Sequence, residues 1–223
     1  MFLKVGHRGA RAYETENTLE SFGTAIKLGA NAIELDIRQS GDGRLIVCHD
    51  DNLKKIFGID APVGKSSLKE LKDMTGGRIA TLEQSLQFIG RKAAKILVEL
   101  KESGYEKKVL EKISEQNLDD RVIVVSFHEE ALAAARKLSG KVETGLIYVR
   151  SKNPVETALM LNAQYLVPLY RFIHTRDVER AHKNGLKVIV WTINTREEIQ
   201  EFVAKGVDGI ATDKPDIFPE YVS

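Results

Sequence analysis

The stretch AKILVELK, residues 94–101, is a near-continuous apolar run that ends in charge, and the helical SGYEKKVLEKISEQ (103–116) follows it. A buried strand joined to an amphipathic helix is the repeating unit of a parallel sheet. The unit recurs to the end of the chain. RVIVVSF (121–127) precedes HEEALAAARKLSG, TGLIYV (144–149) precedes NPVETALMLN, and QYLVPL (164–169) precedes TRDVERAHKNG. KVIVWTI (187–193) precedes TREEIQEFVAKG, and DGIAT (208–212) closes the series. Gly140, Gly185 and Gly206 stand where helices are expected to stop.

Working toward the N-terminus adds LKVGH (3–7), a helix near 18–28 ending at Gly29, and AIELDI (32–37), which makes eight strands. An α/β fold, the (β/α)8 TIM barrel, follows from that count. The rival is a doubly wound open sheet, but no GxGxxG follows the first strand. LIVCHD (45–50) is an extra strand-like run, separated from AIELDI by only seven residues, RQSGDGR. That gap is too short for a parallel crossover and suits a β-hairpin extending the second strand. A turn centred between Gly41 and Asp42 would set Glu34 opposite His49 and Asp36 opposite Val47, with Glu34, Asp36 and His49 on one face. Residues 51–80 interrupt the rhythm and read as a short insertion over the C-terminal face of a single domain spanning 1–223.

The 223 residues carry a formal net charge of +1, with 43% hydrophobic and 29% charged residues. This is an ordinary globular composition, with no bulk charge to favour nucleic acid or an anionic membrane. The single cysteine, Cys48, cannot form an internal disulfide. No apolar run approaches the roughly 18 residues of a membrane span, and MFLKVGHRGA lacks the pattern of a signal peptide. The expected location is the cytoplasm, without stable membrane insertion. The sequence does not specify an oligomeric state.

Charges at strand ends carry the chemistry. Glu34 and Asp36 lie two apart in IELDI, as do Glu99 and Lys101 in VELK. Each pair therefore faces one way, roughly 7 Å apart along its strand. If they face inward, three carboxylates converge at the C-terminal end of the barrel, a donor set for a hard divalent cation, Mg²⁺ or Ca²⁺. His7 ends the first strand and His49 lies at the end of LIVCHD, so one can act as general base and the other as general acid. His128, His174 and His182 fall at helix starts or on helix faces and read as surface or cap residues. Arg8 and Lys101 add positive charge to the same mouth. A metal, two histidines and fixed cations are what phosphoester hydrolysis requires.

The ordered set GHRG (6–9), ENTLESF (16–22), IELDI (33–37), HDDNL (49–53), TLEQSL (81–86), VELK (98–101), SF (126–127), VWTIN (190–194) and GVDGIATDKP (206–215) resembles the glycerophosphodiester phosphodiesterases over nearly the whole chain. The resemblance implies a phospholipase-C-like barrel that hydrolyses glycerophosphodiesters to an alcohol and glycerol phosphate. It implies His7 and His49 as the acid–base pair, and Glu34, Asp36 and Glu99 as ligands of one divalent ion, Mg²⁺, Ca²⁺ or Mn²⁺. It implies Arg8 and Lys101 at the phosphate, and Phe127 and Trp191 lining the pocket. The chain departs from the family pattern after His49, where KKIFGIDAPVGK replaces a TxGxG-like stretch, and at ATLEQ, where the family has PTLEE. Two alternatives remain. One is a phospholipase D or lysophospholipase D acting on lipids that retain a chain, with Ile56, Phe57, Ile59 and Val63 as its apolar entrance. The other is a non-catalytic phosphate-binding barrel. Glu16 has no assigned role; Asn17 or Thr18 is placed to cap the first helix.

Overall fold

The computed structural model describes residues 1–90 and 92–218. Its strands are β1 (Leu3–Gly6), β2 (Ala32–Gln39), β3 (Leu45–Val47), β4 (Lys95–Leu100), β5 (Val122–Ser126), β6 (Glu143–Tyr148), β7 (Tyr165–Pro168), β8 (Lys187–Val190) and β9 (Gly209–Thr212). Eight of them are parallel neighbours in the order β1-β9-β8-β7-β6-β5-β4-β2, and β1 pairs again with β2 to close a barrel. Helices α1 (Leu19–Lys27), α2 (Lys54–Phe57), α3 (Leu68–Met74), α4 (Leu82–Ile89), α5 (Glu106–Glu115), α6 (Glu129–Leu138), α7 (Pro154–Met160), α8 (Thr175–Lys183) and α9 (Arg196–Ala204) fill the connections.

Side chains alternate along each strand, and this alternation divides the core in two. Ile33, Leu35, Val98, Val124 and Val188 point outward into the layer beneath the helices. Val5, Ala32, Leu97, Val125, Val167, Ile189 and Ala211 fill the barrel interior. Gly209 lets β9 close against β1, because a Cβ there would stand 2.8 Å from the Leu3 Cβ. Three expected helix stops take left-handed backbone, with φ of 95° at Gly29, 75° at Gly185 and 84° at Gly206. Gly140 is not among the glycines with positive φ: α6 ends at Leu138, with extended Ser139 as its cap. Thr18, rather than Asn17, caps α1 by accepting the Ser21 N–H at 3.2 Å.

The hairpin forms, but one residue out of the expected register. Strand β2 pairs antiparallel with β3 as Ile37↔Val47, Arg38↔Ile46 and Gln39↔Leu45. The turn is centred on Asp42. Ser40 N–H donates to the Arg44 carbonyl, Gly43 N–H donates to the Ser40 carbonyl, and Gly43 has φ 79°. A loop with an odd number of residues and a left-handed glycine is the three-residue hairpin solution. It places Cys48 beside Asp36, with the Cys48 N–H donating to the Asp36 carbonyl at 3.0 Å. His49 therefore reaches the mouth from the loop beyond β3, where its carbonyl accepts the Arg38 Nε–H at 2.8 Å.

Residues 51–80 have a small apolar cluster of their own. Leu53, Val63, Leu71 and Ile79 pack with Ile46 and Cys48, and Ile56, Phe57 and Ile59 lie against them. The segment is tied to the hairpin tip by the Gly41 N–H donating to the Ser66 carbonyl. The apolar side chains expected to form an entrance are thus used in local packing. None of the four lines the cavity at the barrel mouth.

Candidate active site

Each barrel strand carries its inward side chains in steps of two, and the step beyond the apolar interior reaches the C-terminal mouth. From Val5 that step is His7, from Ala32 it is Glu34 and then Asp36, and from Leu97 it is Glu99 and then Lys101. From Val125 it is Phe127, from Ile189 it is Trp191, and from Ala211 it is Asp213. A cavity of about 150 Å³ opens there, lined by His7, Arg8, Glu34, His49, Glu99, Lys101, Phe127 and Trp191 on an apolar base. Asp36 lies below it with 0% exposure. All nine side chains singled out from the sequence are therefore at this mouth. One half is ionic, from β1, β2 and β4. The other is apolar and ends in Phe127 and Trp191, whose rings meet edge to face at 5.8 Å.

Glu34, Asp36 and Glu99 bring one oxygen each within 4.8 Å of one another. Glu34 Oε2 accepts the Arg8 backbone N–H at 2.8 Å. Asp36 Oδ2 accepts from Asn17 Nδ2 at 2.8 Å and lies 3.3 Å from Arg8 Nε. Lys101 Nζ bonds Glu99 Oε1 and stands 3.5 Å from Asp36 Oδ1. Glu34 Oε1 and Asp36 Oδ1 remain buried without a hydrogen bond. Burial, and next the Asp36 and Glu99 charges, push Glu34 well above the usual carboxylate range. Burial and Asp36 raise Glu99 to about 7. Burial would raise Asp36 too, but Arg8, Lys101, His49 and Asn17 outweigh it and hold Asp36 low. Three convergent carboxylates with orphaned oxygens could hold a hard divalent cation, which would complete those oxygens and screen their repulsion.

Both histidines are oriented by carboxylates. His7 Nδ1 is 2.7 Å from Asp213 Oδ1, and Asp213 Oδ2 accepts from Asn194 Nδ2 at 2.8 Å. His49 Nδ1 is 2.6 Å from Asp50 Oδ1. Engaging each Nδ1 leaves each Nε2 available for proton transfer. Burial, the largest influence on His49, pulls it below its ordinary range despite the opposing pull of Asp36. Glu16 bridges two arginines, accepting from Arg8 Nη1 and facing Arg11 Nε, each at 2.8 Å. Asn17, with φ 60°, carries its amide to Asp36. Arg8 is held just as closely from the other side, where its carbonyl accepts the Ser21 hydroxyl at 2.9 Å. Of the remaining histidines, His128 precedes α6 beside Phe127, its Nε2 3.2 Å from the Lys101 carbonyl, while His174 precedes α8 and His182 on α8 pairs with Asp208.

Gly9 makes this turn possible. Its φ is 85°, and a Cβ would stand 2.6 Å from the Ser21 backbone carbon. Gly9→Ala is expected to destabilise the protein by roughly 1–3 kcal/mol, measured by denaturant unfolding; an unchanged midpoint would contradict this account of the turn.

The sequence pattern of the Glycerophosphoryl diester phosphodiesterase family matches residues 7–217. A glycerophosphodiester phosphodiesterase of Caldanaerobacter subterraneus subsp. tengcongensis is 34% identical over 230 residues, covering 96% of this chain and 95% of its own. The crystal structure of a glycerophosphodiester phosphodiesterase from Thermotoga maritima superposes with a TM-score of 0.86 at 32% identity, covering 97% of each chain. An Oleispira antarctica phosphodiesterase, solved with the product sn-glycerol-3-phosphate, gives 0.85 at 26% identity, covering 95% of this chain and 93% of its own. The chain belongs to the glycerophosphoryl diester phosphodiesterase family and is an enzyme of that family.

Proposed function

We propose that the chain hydrolyses glycerophosphodiesters to an alcohol and glycerol phosphate, with Glu34, Asp36 and Glu99 holding one divalent cation and His7 and His49 moving the protons. The observation that carries this reading is the pair of carboxylate-oriented histidines beside a buried three-carboxylate cluster in one small cavity. Binding alone requires neither dyad. A bound cation would supply charge neutralisation on the phosphoryl oxygens.

The protein's own groups account for the remaining chemistry. Arg8 and Lys101 line the mouth as fixed cations that draw the phosphodiester in and stabilise its non-bridging oxygens. His49, held neutral at pH 7 by burial, accepts a proton at Nε2 from the attacking oxygen, either water or the neighbouring glycerol hydroxyl. His7, steadied by Asp213, gives a proton to the departing alkoxide. The cavity of about 150 Å³ is of a size that suits glycerol phosphate, which favours deacylated substrates. The leaving alcohol would pass Phe127 and Trp191.

The reading is tested by incubating the protein with glycerophosphocholine with and without EDTA. Metal-dependent release of glycerol phosphate supports it; tight phosphate binding without turnover of any diester would instead indicate a binding barrel. Asp213 acts as a positioning residue here. Asp213→Asn is expected to lower kcat roughly 10- to 100-fold and to leave KM nearly unchanged, because the carboxylate touches His7 and not the substrate. Steady-state kinetics check the split, and a rise in KM with unchanged kcat would refute the role.

A further inference from the structure

A second cavity, of about 380 Å³, lies between the chain after β6 and the start of α8, and shares no lining residue with the catalytic mouth. Its inner wall is apolar, with Val155, Leu166 and Ile173 all buried. Its rim is cationic, with Arg150, Lys152, Arg176 and Arg180 facing a single carboxylate, Asp177. Asp177 is already engaged, since it accepts the His174 backbone N–H at 2.9 Å and lies 3.9 Å from Arg176 Nε. Arg180 pairs with Glu156. Among the described residues no carboxylate pairs with Arg150 or Lys152. The Arg150 guanidinium is instead held 4.1 Å above the Phe172 ring, which is itself 39% exposed. The loop segments 149–153 and 169–174 contain three cations, Arg150, Lys152 and Arg171, and no acid, in a chain whose net charge is only +1.

Unpaired cations around a cavity with an apolar wall match a ligand with an anionic head and an apolar tail. The stacked Arg150 is preorganised to meet a phosphate, and its five donors suit phosphate geometry better than an ammonium does. Leu166, Val155 and Ile173 give the inner wall an apolar surface for a chain, while the polar groups of the cavity, Tyr148, Ser151 and His174 among them, lie with the cations. We propose that this cavity binds a single-chain phosphate-headed lipid, the phosphate at Arg150 and Lys152 and the chain on the apolar wall. Such a lipid differs from the small diesters of the catalytic mouth in keeping its chain, and the two sites are independent. The lipid could arrive as a free monomer or be presented by a bilayer.

Calorimetric titration with decyl phosphate, kept below its micelle concentration, reads the first source. Co-sedimentation with vesicles containing lysophosphatidate in phosphatidylcholine reads the second. Saturable binding in either arm is expected, weakened at least 10-fold in the double variant R150A/K152A and retained in R8A, which alters the catalytic mouth. Turnover of a water-soluble diester should be unchanged in R150A/K152A, which also shows that the variant is folded. Shortening the alkyl chain to hexyl, or Phe172→Ala, should weaken binding several-fold. The proposal is overturned if neither arm shows binding, if R150A/K152A binds as the native protein does, or if inorganic phosphate binds at this site as tightly as decyl phosphate.

Discussion

His7→Ala and His49→Ala are each expected to lower kcat for glycerophosphocholine by about 10²- to 10⁴-fold. The two losses should differ in kind. A diester with a p-nitrophenolate leaving group departs without protonation, so His7→Ala should recover most of its activity on that substrate. His49→Ala should lose activity equally on both substrates, because the attacking oxygen still needs a base. Geometry makes both histidines proton-transfer groups, since each Nδ1 is engaged by a carboxylate, Asp213 at 2.7 Å for His7 and Asp50 at 2.6 Å for His49, and the proposed division of roles between them follows from burial alone. Burial holds His49 neutral near pH 7, the form a base requires. Recovery in His49→Ala instead would exchange the two roles. Near-normal turnover by either variant on glycerophosphocholine would remove that residue from the chemistry altogether.

The barrel could be read from sequence because its strands are short β-branched runs, apolar through their middles, with polar residues short of the mouth confined to their starting ends. A parallel strand buried on both faces must be apolar throughout, so Glu34, Asp36, Glu99 and Lys101 stood out as exceptions that required a site. The hairpin register was harder. Its value depends on whether Gly43 takes left-handed backbone, and RQSGDGR admits a turn centred just before Asp42 or on it. The observed φ of 79° at Gly43 moves the register by one residue. His49 nonetheless reaches the mouth because it lies past the last paired residue of β3, where strand alternation no longer governs it.

The missed residues share a physical cause. Asp213 lies 206 residues from His7, and nothing local in the sequence links them. The period of two from Ala211 does point Asp213 inward and was the available signal. Asn17 reads locally as a helix start, and Glu16 has no role in the local sequence. Their partners Arg8, Arg11 and Asp36 become visible only once the β1–α1 turn folds over the mouth. Glu16 thereby gains a role: it fixes Arg8 from outside while Asp36 holds it from inside.

Removing the divalent cation is expected to reduce turnover by about 10³-fold, the equivalent of roughly 4 kcal/mol of lost charge stabilisation, with recovery on adding Mg²⁺, Ca²⁺ or Mn²⁺. The same carboxylates make a separate prediction about stability. In the metal-free protein Glu34 and Glu99 are both raised by burial and by the Asp36 charge, Glu99 from 4.5 to about 7. A carboxyl whose folded pKa exceeds its unfolded value binds its proton more tightly when folded. Its penalty is therefore absent below pH 4.5, grows as pH rises toward 7, and is complete above that. Metal-free protein should be less stable at pH 8 than at pH 6, by on the order of 1–3 kcal/mol. Glu34→Gln removes one charge while keeping an acceptor for the Arg8 N–H. It should make metal-free protein more stable at pH 8 and abolish turnover. It should also suppress the stabilisation that metal gives the native chain, about 2.7 kcal/mol at a hundredfold excess over Kd, read as a rise in melting temperature. A site that trades stability for charge must show both effects in one substitution. If Glu34→Gln were less stable than the native chain in EDTA, or still stabilised by metal to the same extent, the carboxylates would be an ordinary ion-pair network with Arg8 and Lys101, not a metal site.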